Sequence, residues 1–427
     1  MEKLKEPSVI ILKLDELKTN DAKEITKRNT PYVYFGEDNL YPQYLVELYD
    51  SVAVHCSMLQ IFRRFLIGDA YNIEGNEAAT ENFFNEVGNG LSNIISDLAT
   101  SYTFFDNSYV NVVPSRGGGI GRIAVLDGSS VRTGQINDFA TGVENYYWSL
   151  DWRKSTGRKN FSMPEFRIYE PKEVPAFNPN KPLRGSKNGY IWENKLFQKP
   201  TQIYYTTPRY NGAVNDLEKA ARVSNLMKNM IKNGMAGNTH IHVYEDLSDI
   251  DKQERVLEGL KKRFAGDSNA GEIVLTWSTG ADGKPEVNNL PTNNSHEMFD
   301  FMARNINENL ITANQIPPFL ANIQVKVGLA DSGKAIRESL EYFQNITILP
   351  YQKKIENILN TLLELNGIKS KISLVESTPF SFLSSDDMMK HSMTVREYRE
   401  RILQLEEDFK VEDLMINATK TATDGTN

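Results

Sequence analysis

Two long stretches of helical periodicity, set apart by a compact segment of different character, constrain this 427-residue chain more than any other feature. The first runs from Val214 to Asn233, with Leu217, Ala220, Ala221, Leu226, Met230 and Ile231 on one broad stripe and Gly234 at its end. A run of that length makes a helix of roughly 30 Å. The second is opened by Asn294 and Glu297 and carries Met298, Phe301, Met302, Ile306 and Leu310 at helical spacing. It must stop before Pro317 and Pro318, because the two prolines remove two backbone donors and restrict Ile316. Between the helices lies a strand, helix, strand pattern: IHVY, a helix starting near Ser248 with Asp251 three residues on, then EIVLTW. Val256, Leu257, Leu260 and Phe264 give that middle helix one apolar face. Two long helices thus bracket a small α/β insert.

Upstream, FGEDNLYPQ reads as an open turn, and Tyr44 to Leu66 carries Leu45, Leu48, Val52, Leu59, Phe62 and Phe65 at helical spacing up to Gly68. Glu81 to Phe105 is a second helical stretch, interrupted by the glycines of EVGNG. From Tyr109 to Tyr210 the text turns to short aromatic and β-branched runs (YVNVV, RIAVL, YYWSL, EFRIYE, YIWE, QIYYTT) between Gly, Pro and Asn clusters, which is sheet-like. The fold class is therefore α+β. Downstream of the prolines, the polar segment Asn322 to Gly333 leads into a long helical stretch, Ala335 to Asn366, ended by Gly367. Pro350 falls inside it; the missing donor and the clash with the carbonyl of Ile346 predict a kink there. A strand-like ISLVES, an aromatic TPFSF, a charged helix over Thr394 to Leu405 and a polar tail complete the chain.

Composition narrows the function. A net charge of -8 argues against a general nucleic-acid coat that works by neutralising many phosphates. Cys56 is the single cysteine, so no intrachain disulfide and no zinc site built on several thiolates can form. The N-terminus, MEKLKEPSVIILKLDEL, has neither the apolar core nor the cleavage site of a secretory signal, and no stretch has the roughly 18 apolar residues that cross a bilayer. The expectation is a soluble chain with no membrane partner.

Each candidate chemical motif has a plainer competitor. Gly328-Leu-Ala-Asp-Ser-Gly333-Lys334-Ala335 matches a phosphate-cradling P-loop through its lysine, then puts alanine where a Mg-binding hydroxyl belongs. The polar NIQVKV before it is a poor buried strand, so a glycine-rich loop of chance spacing is the reading preferred over a nucleotide-binding enzyme using Gly328 to Lys334. Arg116-Gly-Gly-Gly119-Ile-Gly121-Arg122 suits an anion, but its place between YVNVV and RIAVL makes it a hairpin turn. His240 and His242 share a strand face without a third ligand nearby. His55, His296 and His391 form no constellation, and no Ser-His-Asp or Cys-His set can be assembled. Asp386-Asp387 and Glu406-Glu407-Asp408 read as solvated helix ends rather than paired catalytic carboxylates. No cofactor and no enzymatic activity are expected.

Four local patterns, taken in order, resemble the portal proteins of tailed bacteriophages. They are NLYPQYLVELYDSVAVHCSMLQIFRRFLIGDAY, MKNMIKNGMAGNTHIHVY, ANQIPPFLANI and FQNITILPYQKKIENILNTLL, with MTVREYRERI similar to the portal C-terminal region. The resemblance implies a wing over residues 1–212 including an N-terminal arm, a first stem helix over 213–236, a clip over 237–293 and a second stem helix over 294–316. It then implies a wing continuation over 317–410, with a tunnel loop at 322–334 and a kinked tunnel helix at 335–366, and a tail or minimal crown over 411–427. Gln324, Lys326, Gly328, Asp331, Gly333 and Lys334 would then face DNA from the tunnel loop, and Pro317, Pro318 and Pro350 would be the hinge and kink positions. It further implies a homo-oligomeric ring of twelve subunits at one capsid vertex of the virion, assembled in the host cytoplasm, through which double-stranded DNA enters and leaves. The partners it implies are the large terminase subunit, the head-tail adaptor, the major capsid protein and a scaffolding protein.

Overall fold

The computed structural model describes residues 9–11, 21–28, 30–136, 142–155, 169–181, 186, 188–232, 239–243, 273–277, 286–289, 295–321 and 333–377. The main body begins with β2 (Glu24–Thr26) and β3 (Val33–Phe35), an antiparallel pair leading into helices α1 (Tyr41–Ser51) and α2 (Ala53–Ile67). Sequence periodicity predicts one helix from Tyr44 to Leu66; the structure breaks it at Val52, whose extended backbone (φ -121°, ψ 100°) ends α1 and starts α2. Val52 keeps both helices in step, donating to the Leu48 carbonyl (3.1 Å) and accepting from Cys56 N (3.0 Å), while its buried β-branched side chain favours the extended backbone. Gly68 then stops α2 with φ at +75°, and a Cβ there would collide with the Val375 carbonyl, so only glycine lets the late strand approach.

That late strand is β14 (Ser370–Val375), paired antiparallel with β4 (Ala70–Gly75) in the register Ile372↔Ile73. Helix α3 (Glu77–Gly88) is capped by Asn76, whose Oδ1 accepts from Ala79 N at 3.0 Å. It ends on left-handed Asn89, and Gly90 turns the chain into α4 (Leu91–Phe105). The glycines of EVGNG are thus a two-residue corner between helices.

Helix α4 hands over to β5 (Asn107–Pro114), the centre of an antiparallel sheet β10–β5–β6 with β6 (Ile120–Leu126) and β10 (Tyr190–Lys195) on its two sides. Alternation along β5 decides the layers. Val110 and Val112 point into the main helical core, whereas Tyr109 joins Ile191, Val131, Tyr146 and Val174 beneath a second sheet, β7 (Val131–Thr133), β8 (Asn145–Trp148) and β9 (Lys172–Pro175). The glycine run between β5 and β6 is a hairpin turn, as its flanks predict. QIYYTT forms no strand. The Glu24 carboxylate accepts from the amides of Ile203 (2.9 Å), Tyr204 (2.9 Å) and Tyr205 (2.7 Å), so three donors a strand would have used are taken by one side chain. Most of EFRIYE, the helix near Ser248, TPFSF and the helix at Thr394 to Leu405 lie outside the described residues.

The 3₁₀ turn Arg209–Ala213 runs into α5 (Val214–Lys232), and α6 (Ser295–Asn314) returns the chain to the core. Between them stand β11 (Thr239–Val243), β12 (Ile273–Trp277) and β13 (Glu286–Asn289). β11 and β12 are parallel and β13 antiparallel to β11. The sheet has a fourth member that periodicity does not signal: β1 (Val9–Ile11) pairs antiparallel with β12, giving the order β1–β12–β11–β13.

The last helical run is not one α-helix. α7 (Gly333–Tyr342) and α8 (Leu349–Leu365) flank a π-helical turn, Phe343–Ile348. Leu349 N reaches back five residues to Gln344 O, and Pro350, at the second position of α8, has no donor to lose. The disruption that Pro350 predicts is thus absorbed by a widened turn just before it, which relieves the carbonyl facing the ring.

Candidate functional site

The roots of α5 and α6 and the start of α8 meet on one face of α2. Met58, Phe62 and Phe65 repeat at helical spacing and are all buried. Against Met58 lies Asn314, the last residue of α6, whose Nδ2 donates to Leu310 O (2.9 Å) and rests 3.7 Å from Met58 Sδ. Its Oδ1 has no hydrogen-bond partner among the described residues. Against Phe62 stands Tyr351, ring to ring at 5.2 Å and near perpendicular, and Gln352 Nε2 donates to Phe65 O at 3.1 Å.

The two long helices are antiparallel, and Asn309 Nδ2 donates across them to Asp216 Oδ2 at 3.0 Å. Tyrosines of α1 brace the root of α5, Tyr41 OH to Asn211 and Tyr44 OH to Glu218. Burial, then the Glu218 carboxylate, pushes the Tyr44 phenol well up, so the hydroxyl stays a donor. Leu217 and Leu310 are fully buried. Among the described side chains beyond those roots, Arg222, Ser224, Asn225, Met227 and Lys228 on α5, and Asp300, Phe301, Ala303, Arg304 and Asn305 on α6, are exposed.

A buried carboxylate joins the parts. Asp106 ends α4 in the left-handed region (φ 49°), which an aspartate tolerates better than most residues. Its Oδ1 accepts from Tyr351 OH (2.9 Å) and from Arg209 Nη1 (3.2 Å), and Oδ2 accepts from the Arg209 amide. The Arg209 guanidinium lies 3.4 Å over the Phe62 ring. Burial pushes the Asp106 carboxyl up, while Arg209 and the hydrogen bonds pull it back. Next to this cluster His55 is fully buried against Tyr210, ring centroids 4.7 Å apart, and neither ring nitrogen has a partner among the described residues. Burial, then the charge of Arg209, brings its pKa down to about 3, so the imidazole is neutral. A second buried cation, Arg132, fixes the FGEDNL turn: Nε donates to Asn39 Oδ1 (2.7 Å), Nη2 to Asn39 O (2.6 Å) and Nη1 to Val131 O (2.8 Å).

Of the residues singled out from sequence, Pro317 is buried and Pro318 half-buried directly after the fully buried Ile316, and Leu320 N closes the turn on Pro317 O at 3.0 Å. Pro350 is exposed on the outer side of its turn. Gln324, Lys326, Gly328 and Asp331 lie outside the described residues. Gly333 and Lys334, expected in a loop, are the first two residues of α7. The strand that follows this region, β14, is antiparallel to its one neighbour, unlike the parallel strands around a nucleotide-binding loop. His240 and His242 occupy alternate positions of β11 and so share a face. Among the described residues no three His, Cys, Asp or Glu side chains are grouped to hold a metal ion, and no helix is long and apolar enough to cross a membrane. Asp106, Arg209, Tyr351 and Arg132 carry no sequence signal, because their partners lie a hundred residues or so away along the chain.

No family model matches the chain, and no curated protein sequence matches it. Among solved structures it is similar to a chain of the neck of an empty gene transfer agent particle, with 16% identity and a TM-score of 0.49 over 78% of this chain and 83% of that one. It is likewise similar to a chain in the neck of the native particle (16% identity, TM-score 0.46, 81% of this chain and 92% of that one). A third is an HK97 family phage portal protein from Corynebacterium diphtheriae, at 8% identity and TM-score 0.40, covering 77% of this chain and 95% of that one. Neck and portal chains are what this chain is similar to.

Proposed function

We propose that this chain is a phage portal protein: a subunit of a ring of twelve that forms the channel at one capsid vertex of the virion. Double-stranded DNA enters the capsid and leaves it through that channel. The observation that carries the reading is the pair α5 and α6. Both are rooted in the core, they bracket the strands β11, β12 and β13, and five described residues of each beyond its root are exposed. Helices gain most of their stability in a protein from packing an apolar face. A helix pair that leaves Met227 and Phe301 uncovered is one that neighbouring copies complete.

In this reading α5 and α6 are the stem, the bracketed sheet is the clip that docks the large terminase subunit and later the head-tail adaptor, and α7 with α8 supports the tunnel loop at 322–334. The major capsid protein and a scaffolding protein meet the wing. A subunit charge of -8 suits a channel along which DNA slides without sticking, and Lys326 and Lys334 touch phosphates in passing. The ring itself hydrolyses nothing.

Native mass spectrometry with electron-microscope class averages tests this on the purified chain. A ring near twelvefold with a central hole is expected. A monomer that binds Mg-ATP, and loses it on Lys334→Ala, would establish the nucleotide-binding alternative instead. A Lys326→Ala, Lys334→Ala double variant that packages and retains DNA normally would remove the two lysines from the channel assignment.

A further inference from the structure

The hairpin tip Ser115–Arg122 is not used by the channel reading, and its geometry points to a function of its own. We propose that it is a second phosphate-binding surface, gripping the sugar-phosphate backbone of double-stranded DNA from outside the tunnel loop.

The tip carries Arg116 and Arg122, four glycines and no carboxylate. Both arginines are exposed, and neither has a hydrogen-bond or ion-pair partner among the described residues. Some other surface cations pair: Lys23 with Asp21, Arg153 with Glu47, Lys219 with Asp216. The turn is also held. Ser115 N donates to Gly119 O (3.0 Å), Gly118 N to Ser115 O (3.3 Å), and Ile120 N to Asn366 Oδ1 (2.8 Å) at the end of α8.

The glycines separate by purpose. Gly118 and Gly119 have φ of +93° and +74°, and a Cβ on Gly119 would strike Asn366, so the turn itself requires them. Gly117 has no positive φ and nothing within 4 Å of the place its Cβ would occupy. The fold does not need glycine there. What it supplies is a backbone left bare between two arginines, where a phosphate can come close, and each guanidinium fork can take two phosphate oxygens. Contacts of this kind read the backbone and not the bases, so they hold DNA without regard to sequence.

The choice of DNA as occupant rests on the channel reading; the ring does not, and the two fail separately. The test is fluorescence anisotropy of the full chain with a duplex of about 20 base pairs across a salt series. The Arg116→Ala, Arg122→Ala double variant is expected to bind roughly tenfold more weakly near 0.1 M salt, with the slope of log affinity against log salt reduced by about 2. Gly117→Glu, which the open space tolerates, is expected to weaken binding likewise. Both variants should keep the thermal transition and native mass of the parent. A double variant with unchanged affinity and slope overturns the proposal, as does a parent chain that binds no DNA at low salt. Rings that persist alongside either result leave the channel reading standing.

Discussion

His55 offers the sharpest test of the buried cluster, because its effect on stability has a definite sign and pH window. The imidazole has its ordinary pKa of 6.5 when unfolded and one of about 3 when folded. Between those values the unfolded chain holds a proton that the native chain does not, so stability falls as pH falls through the window. From pH 7 to pH 4.5 the linkage amounts to about 2.5 kcal/mol, and it reaches about 4 kcal/mol near pH 3, at 1.36 kcal/mol per pKa unit. Asp106 works the other way, since its raised carboxyl pKa favours the native state as pH falls. The His55 contribution must therefore be isolated as a difference. His55→Phe keeps the edge-on contact with Tyr210 and removes two buried nitrogens without partners, so it is expected to be neutral or stabilising at pH 7. Urea unfolding of both proteins at pH 7 and pH 4.5 should show the parent losing about 2.5 kcal/mol more than the variant. Equal losses would mean that His55 is protonated in the folded chain, and the reading of a neutral, fully desolvated imidazole would be wrong.

Three further substitutions probe the contacts that set the site. Tyr351→Phe removes one of the donors to Asp106 and should cost about 1–3 kcal/mol in chemical unfolding, with the ring contact to Phe62 retained. Arg132→Met leaves the Asn39 carbonyl without its Arg132 donor and Asn39 Oδ1 with the Phe35 amide alone, and should cost about 1–3 kcal/mol, with proteolysis beginning near Asn39. Glu24→Ala frees the amides of Ile203, Tyr204 and Tyr205 and should cost about 1–3 kcal/mol. In hydrogen exchange those three amides should lose protection while the β5 amides keep theirs.

What the sequence discloses and what it hides divide along physical lines. Apolar spacing marks α4, α5 and α6 closely, since each buries a stripe at least at its root, and glycine marks the ends of α2 and α3. Spacing fails where two helices share a stripe, as at Val52, because burial repeats through a corner as readily as through a turn. It fails at QIYYTT, where strand-forming residues have their amides taken by the Glu24 carboxylate from 180 residues away. The tiny β1 is invisible for a simpler reason: three residues hold no period. Pro350 is correctly a disturbance, but the choice of a π turn over a bend depends on Tyr351 and Gln352 being fixed to the core just beyond it. The start of the last helical run, expected after Lys334, lies at Gly333, since a glycine at a helix start leaves no signal of its own.

Asp106 has a consequence for the channel reading that no single contact has. One carboxylate, at the end of α4, is shared between the residue that opens the turn into α5 and the residue directly after the proline of α8. Breaking such a buried, hydrogen-bonded charge pair by removing one partner costs on the order of 3–5 kcal/mol, more than a helix gains from any one surface contact. The root of α5 and the start of α8 are therefore fixed to the same point and shift together. α7 lies on the far side of the π turn, with Tyr342 exposed at its end, Ile346 exposed in the turn itself, and no such anchor to Asp106 among the described residues. In a ring that passes DNA, displacement at the loop end would be taken up first in the π turn between α7 and α8. On the channel reading proposed above, the carboxylate that fixes α8 would keep that displacement from α5. Removing that carboxylate as Asp106→Asn, rather than altering the turn, is what should let motion at the loop reach the stem.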